Sequence, residues 1–88
     1  MRRTVEICNE RGLHARASAK FVKAASGFDS DVRVTRDGTT VDARSIMGLL
    51  MLGAGPGSSI EIEADGPDAE EALNVLTALV ECRFDEEK

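Results

Sequence analysis

The sequence predicts an α+β fold, an open-faced sandwich in which a four-stranded antiparallel sheet carries three helices on one face. The hydrophobic periodicity changes along the chain between a two-residue repeat and a three-to-four-residue repeat, in the order βαββαβα. Each predicted strand has one apolar face, so all the helices must cover the same side of the sheet. With 88 residues, the chain is expected to form a single domain over 1–88, because a second core could not be filled.

The first two elements are predicted to be a strand and an amphipathic helix. Residues 4–8 alternate polar and apolar side chains, as in a strand with one buried face. Over Ala15–Ala25 the apolar residues recur three and four positions apart, and Gly27 then ends the pattern. The helix is therefore expected to begin at His14 or Ala15.

A β-hairpin and a short helix are predicted next. Asp37 and Gly38 supply the positive-φ pair of a tight turn between alternating segments at 31–35 and 39–43. The apolar segment 46–52 lacks β-branched alternation and ends at a glycine-rich stretch, and Ser45 precedes it as a favourable N-cap. We expect this segment to form the short helix.

A strand and a helix complete the predicted fold. Ser59–Asp65 alternates apolar and acidic side chains, which indicates a strand with one solvated face. The segment 66–68 begins the last helix, with Pro67 near its first position. The buried stripe of this helix is expected to comprise Ala69, Ala72, Leu73, Leu76 and Val80. The acidic residues 85–87 are expected to form a solvated, frayed tail.

The composition excludes several classes of protein. The chain has 16 acidic and 11 basic residues, a formal charge of −5, and neither Trp nor Tyr. Nucleic-acid binding is not expected, because phosphate contacts need a basic patch and base stacking needs aromatic side chains. The apolar stretch 46–54 is far shorter than the roughly 20 residues of a membrane span. The N-terminus lacks a signal-peptide pattern, so a cytoplasmic protein that is not embedded in a membrane is expected.

The cysteines and the single histidine do not indicate a metal site. Cys8 and Cys82 lie near opposite ends of the sequence without CxxC spacing, and there is no second histidine. No metal or other cofactor is therefore expected. Both thiols are expected to be reduced and at least half-buried, and a disulfide requires the two ends of the chain to meet.

The single histidine, His14, is expected at or next to the N-cap of the first helix. Unpaired N–H groups and the helix dipole favour an anion there, so the backbone of Ala15, Arg16 and Ala17 could hold a phosphoryl group on the imidazole. The Arg16 guanidinium could donate to the same oxygens. The alternative is a surface histidine that only caps a helix.

The short helix is predicted to expose part of its apolar surface. Seven apolar or glycine residues in so short an element cannot all face inward. We expect Met47, Leu50 and Met51 to form an exposed docking patch, since methionine adapts to partners of several shapes.

Two sequence motifs carry a resemblance to a known family. The segments GLHAR at 12–16 and RSIMGLLML at 44–52 closely resemble the two signatures of the HPr family, and the resemblance extends over essentially the whole chain. HPr proteins are histidine phosphocarriers of the bacterial phosphoenolpyruvate-dependent phosphotransferase system. The resemblance implies a monomeric carrier rather than an enzyme, with enzyme I as donor and an enzyme IIA protein as acceptor.

The resemblance also implies roles for particular residues. His14 matches the histidine that is phosphorylated on Nδ1, and Arg16 matches the arginine beside it. Ser45 matches the serine that, in many members, HPr kinase/phosphorylase phosphorylates and dephosphorylates. The family most often has Pro where this chain has Ala17, which keeps its N–H as one more donor for phosphate.

Two other functions are consistent with parts of the sequence. An acyl carrier is also small and acidic, and Asp29-Ser30 resembles its attachment motif, but Asp31 replaces the usual apolar residue and that family is all helical. A small-ligand-binding or structural α+β module would leave His14 without a role. Within the HPr family, the segments 9–12 and 17–21 are more similar to the nitrogen-related branch than to sugar-uptake carriers.

Overall fold

The computed structural model of the protein describes residues 1–87 and confirms the predicted fold class. The strands are β1 (Arg2–Glu6), β2 (Asp31–Arg36), β3 (Thr39–Asp42) and β4 (Ser59–Asp65). The helices are α1 (Ala15–Ala25), α2 (Ile46–Met51) and α3 (Ala69–Glu81), followed by a 3₁₀ turn at Arg83–Asp85. Over residues 1–87, every helix is too short or too polar to cross a membrane.

The four strands form one antiparallel sheet in the order β1-β4-β2-β3. Val34 of β2 pairs with Ile62 of β4 on one side and with Val41 of β3 on the other. The neighbouring Arg33 lies on the opposite face, where it binds Glu63. This alternation gives the sheet one apolar face for the helices and one charged face for solvent.

Helices α1 and α3 supply most of the core that covers the sheet. Phe21 of α1 is fully buried, as are Leu73, Leu76 and Val80 of α3. All five residues of the predicted α3 stripe are buried, and Thr77 is buried with them. Both helices therefore contribute the amphipathic faces that their periodicity predicts.

The bounds of β1 and the start of α3 differ from the prediction. β1 begins two residues earlier than residue 4 and ends at Glu6, because its partner β4 spans Arg2↔Glu63 to Glu6↔Ser59. Pro67 precedes the N-cap of α3 instead of occupying its first turn. The Asp68 carboxylate accepts hydrogen bonds from Ser30, which keeps this segment in the loop.

The prediction that both cysteines are half-buried or buried is wrong, since Cys8 and Cys82 are free and exposed. Cys8 follows the fully buried Ile7 directly after β1, and its own side chain is exposed. Its thiol donates to the Val80 carbonyl at 3.5 Å. Cys82 follows the last turn of α3, beyond the buried stripe.

The prediction of a solvated, frayed tail at 85–87 is correct for the exposed side chains of Asp85 and Glu87, but it is wrong about fraying, because Glu86 is hydrogen-bonded to His14. Phe84 is completely buried, and its carbonyl accepts a hydrogen bond from Lys20 Nζ at 2.7 Å. Arg83, Phe84 and Asp85 have φ angles of 60°, 53° and 64°, so the chain turns back in a left-handed conformation. The buried Phe84 ring and the hydrogen bond from Lys20 together dock this segment against the rest of the chain.

Candidate functional site

The candidate site is centred on His14, which is the N-cap of α1 as predicted. Its Nδ1 atom accepts a hydrogen bond from the backbone N–H of Arg16 at 3.3 Å. The first main-chain bond of the helix runs from Ser18 N–H to the His14 carbonyl at 2.8 Å. The N–H groups of Ala15 and Ala17 therefore lie before that first bond and have no acceptor within the helix, so this end can receive an anion.

Gly12 allows the chain to enter α1 beside a second loop. It has a φ angle of 64°, and a Cβ at this position would lie 2.4 Å from the Ala54 carbonyl oxygen. That carbonyl accepts a hydrogen bond from Leu13 N–H at 2.8 Å, and the Leu13 side chain is buried. The close approach of the two loops thus fixes the backbone directly before His14.

Glu86 contacts His14, a feature that the sequence analysis missed. A Glu86 carboxylate oxygen is hydrogen-bonded to His14 Nε2, and the two side chains are only 21% and 22% exposed. The second carboxylate oxygen accepts from Asn9 Nδ2 at 3.0 Å. The Asn9 amide and then the His14 ring lower the pKa of the Glu86 carboxyl below its ordinary value. In the sequence, the one feature of this segment that favours docking is Phe84, an apolar side chain among the charged residues 83–87.

Both basic and acidic side chains line the open side of the site. Arg16 is exposed, and its guanidinium makes no hydrogen bond or ion pair within residues 1–87. It lines a shallow cleft together with Arg11 and Lys20, and Glu10 and Glu86 lie on the same rim. Arg16 is therefore able to turn toward an anion held at the start of α1.

Ser45 is the N-cap of α2, as predicted. Its hydroxyl oxygen accepts a hydrogen bond from Gly48 N–H at 3.0 Å, and the residue is half-buried. α2 packs against α1, so Ser45 belongs to the helix next to the one that His14 caps.

The prediction of an exposed apolar surface on α2 is confirmed. Met47 and Met51 are 69% and 77% exposed, and Ile46 and Leu50 are exposed beside them. Leu49 faces inward and is completely buried. We call the four exposed residues the α2 patch. Solvent-facing apolar side chains on one short helix are typical of a surface that binds other proteins.

Across residues 1–87, no three His, Cys, Asp or Glu side chains lie together in a way that could hold a metal ion. The four-stranded sheet also does not fit an acyl carrier, whose family is all helical.

Comparisons with known proteins agree with this geometry. A family model described as the PTS HPr component phosphorylation site matches residues 1–82. The phosphocarrier protein HPr of Cupriavidus necator is 51% identical, over 98% of this chain and 97% of that protein. The phosphocarrier protein NPr of Escherichia coli K12 is 44% identical, over 99% of this chain and 98% of that protein. The crystal structure of HPr-C-His from Thermoanaerobacter tengcongensis has a TM-score of 0.95 and 44% identity, covering 100% and 99% of the two chains.

Proposed function

The chain belongs to the HPr family, the phosphocarriers of the phosphotransferase system, and on this premise we propose that His14 carries the phosphoryl group. Phospho-enzyme I is the donor and an enzyme IIA protein is the acceptor. The observation that supports this role is the position of His14 at the N-cap of α1, where Nδ1 accepts a hydrogen bond from the Arg16 N–H of the first helical turn. The protein acts as a monomeric, single-domain carrier in the cytoplasm.

The chemistry follows from the imidazole and its surroundings. Neutral imidazole is nucleophilic near neutral pH, and a phosphoryl group on its nitrogen remains reactive enough to be passed on. The helix N–H groups of Ala15, Arg16 and Ala17 stabilise the phosphoryl oxygens, and the Arg16 guanidinium orients them. The carrier needs no pocket of its own, because donor and acceptor complete the transition-state contacts.

The α2 patch supplies the docking surface for both partner proteins. Met47 and Met51 are the most exposed members of the patch, and α2 packs against the helix that begins at His14. A donor or acceptor seated on the patch can therefore reach the imidazole. Enzyme I and enzyme IIA then bind in turn, since they use the same surface.

A relay assay tests this function. We would incubate the chain with labelled phosphoenolpyruvate, enzyme I and enzyme IIA, and follow the label on each protein. His14→Ala should abolish transfer while leaving the fold intact. Arg16→Ala should slow transfer, because the loss of a charge-assisted contact raises the activation free energy by about 1 to 3 kcal/mol. Normal transfer by His14→Ala would exclude His14 as the carrier.

We further propose that phosphorylation of Ser45 by an HPr kinase/phosphorylase inhibits transfer without unfolding the domain. The hydroxyl caps α2 directly beside the patch. A phosphate there adds nearly two negative charges next to an apolar docking surface. A partner surface that accepts apolar side chains would then bind more weakly.

Kinase-treated protein and Ser45→Asp provide the test of this switch. Thermal unfolding and the initial rate of phosphoryl transfer would be measured on both and on the unmodified chain. We expect retained stability and reduced transfer. An unchanged rate across donor concentrations would refute the switch, and a collapsed fold would show that the modification acts through stability instead.

The enzyme IIA protein that accepts the phosphoryl group distinguishes the nitrogen-related branch of the family from the sugar-uptake branch. The segment 9–12 is more similar to nitrogen-related members, so we expect faster transfer to a nitrogen-type enzyme IIA than to a sugar-type one. Offering both acceptors to the purified phosphoprotein, and measuring the two initial rates, tests this expectation. Faster transfer to the sugar-type protein would contradict it.

A further inference from the structure

Two side chains outside both sequence motifs hold the imidazole of His14 from its Nε2 side. One carboxylate oxygen of Glu86 is hydrogen-bonded to His14 Nε2, and the Asn9 side-chain amide donates a hydrogen bond to the other oxygen at 3.0 Å. Asn9 is fully buried, and the same amide nitrogen also donates to the Gly12 carbonyl at 2.8 Å. A fully buried amide thus ties Glu86 to the loop that leads into the site.

The two hydrogen bonds of the ring require one arrangement of its proton. An ionised carboxylate can only accept, so Nε2 must carry the hydrogen that Glu86 binds. A backbone N–H can only donate, so Nδ1 must offer a lone pair to Arg16. The partner of one ring nitrogen therefore sets the chemistry available at the other.

We propose that Glu86 is a positioning residue for phosphoryl transfer, which keeps His14 protonated on Nε2 and presents the Nδ1 lone pair to the start of α1. Asn9 supports this role by holding the Glu86 carboxylate in place. The inference rests on the proposed function of His14, and it assigns a task to the C-terminal segment that neither family motif contains.

The transfer step balances without movement of a proton. The Arg16 N–H releases the Nδ1 lone pair, which forms the new bond to phosphorus while the bond from phosphorus to the donor's leaving group breaks, and the leaving group keeps that electron pair. The proton stays on Nε2, so the phosphorylated ring is positively charged. The Glu86 carboxylate already faces this charge, and it remains in place for the reverse events when the acceptor attacks.

The C-terminal backbone is held firmly enough for this task. Arg83, Phe84 and Asp85 adopt left-handed φ angles, which L-residues seldom do unless their surroundings impose them. The buried Phe84 ring and the hydrogen bond from Lys20 to its carbonyl provide that restraint. The lowered pKa of Glu86, caused first by Asn9 and then by His14, agrees with an ionised carboxylate.

The test combines a spectroscopic readout with a rate. In ¹⁵N-labelled protein, two-bond ¹H–¹⁵N correlations of the neutral ring report which nitrogen is protonated. Glu86→Ala should lower the Nε2–H population and reduce the saturating rate of phosphoryl uptake from phospho-enzyme I about tenfold, the effect of one lost charged hydrogen bond. The chain concentration that gives half the maximal rate should not change, because the α2 patch is untouched. Glu86→Gln keeps one accepting oxygen without the charge, so it should restore the tautomer and part of the rate.

Glu87→Ala is the matched control, since it removes the same charge from an exposed neighbouring position. It should behave as the unmodified chain does, and the urea midpoint of each variant would be checked. A Glu86→Ala variant with the original tautomer, or with the original rate, would overturn the inference. So would equal losses in Glu87→Ala, or a Glu86→Gln variant that keeps the tautomer but loses the rate. If the unmodified chain takes up no phosphoryl group, the proposed function fails, whereas the tautomer measurement still reports on Glu86.

Discussion

Gly12→Ala should destabilise the protein far more than the same change at Gly53. Both glycines have nearly equal φ angles, 64° and 61°, so both substitutions place alanine in the left-handed region at a cost of about 1 kcal/mol. At Gly12 the new Cβ would also meet Ala54 O at 2.4 Å and Gly55 Cα at 2.7 Å. The loop must then move, with loss of the hydrogen bond from Leu13 to Ala54, about 1 kcal/mol, and overpacking of about 1 to 2 kcal/mol.

The expected loss is therefore about 3 to 4 kcal/mol for Gly12→Ala and about 1 kcal/mol for Gly53→Ala, where nothing lies within 4 Å of the new Cβ. The gain from a stiffer unfolded chain is the same for both and cancels in the difference. Urea unfolding of the two variants and the original chain measures these free energies. Equal losses would refute the close approach between the loop that precedes His14 and the loop that follows α2.

Three further predictions concern docking, capping and acid stability. Met47→Glu should weaken binding to enzyme I and to enzyme IIA about tenfold, whereas Val75→Glu, at an exposed apolar position on α3, should leave binding unchanged. Equal losses of affinity in calorimetric titrations would contradict the role of the α2 patch as the docking surface. Ser45→Ala should lower the free energy of unfolding by about 1 kcal/mol, and an unchanged urea midpoint would show that the cap contributes nothing. The Ser30 hydroxyl holds the pKa of Asp68 below its ordinary value of 3.8, so this carboxylate stabilises the fold above that pH and the contribution disappears as the pH falls through the folded pKa. Asp68→Asn should flatten this part of the acid-unfolding curve, and an unchanged slope would exclude the effect.

Local patterns predicted the elements that carry the site. The bounds of α1 are those of the periodic segment Ala15–Ala25, because an extended N-cap and an amphipathic face both act within a few residues. The exposure of Met47 and Met51 followed from a count, since the short helix holds more apolar side chains than one buried face can take. In these cases the determining interactions lie close together along the sequence.

The contact between Glu86 and His14 could not be predicted in this way. The two residues are 72 positions apart, and neither periodicity nor charge reports a contact at that separation. Three successive non-glycine residues with positive φ also leave no local signature, because their conformation is imposed by the burial of Phe84. The acidic composition of 85–87 favoured a solvated tail, and tertiary packing overrode that preference.

The exposure of Cys8 shows a smaller failure of the same kind. Cys8 ends an alternating segment that places it opposite Ile7, whereas the general tendency of free cysteine to be buried favours the core. The structure follows the alternation, with Ile7 inside and Cys8 outside. Position in the alternating pattern, rather than residue type, determined which side chain is buried.

The most direct test of the account is the intact mass of the chain after incubation with phosphoenolpyruvate and enzyme I. We predict one added phosphoryl group of about 80 Da that is lost in mild acid, as a phosphoramidate is and a phosphoserine ester is not. Tandem mass spectrometry should place it on His14, and His14→Ala should gain no mass under the same conditions. An acid-stable adduct, an adduct on another residue, or an unchanged mass in the original chain would contradict the claim that His14 carries the phosphoryl group.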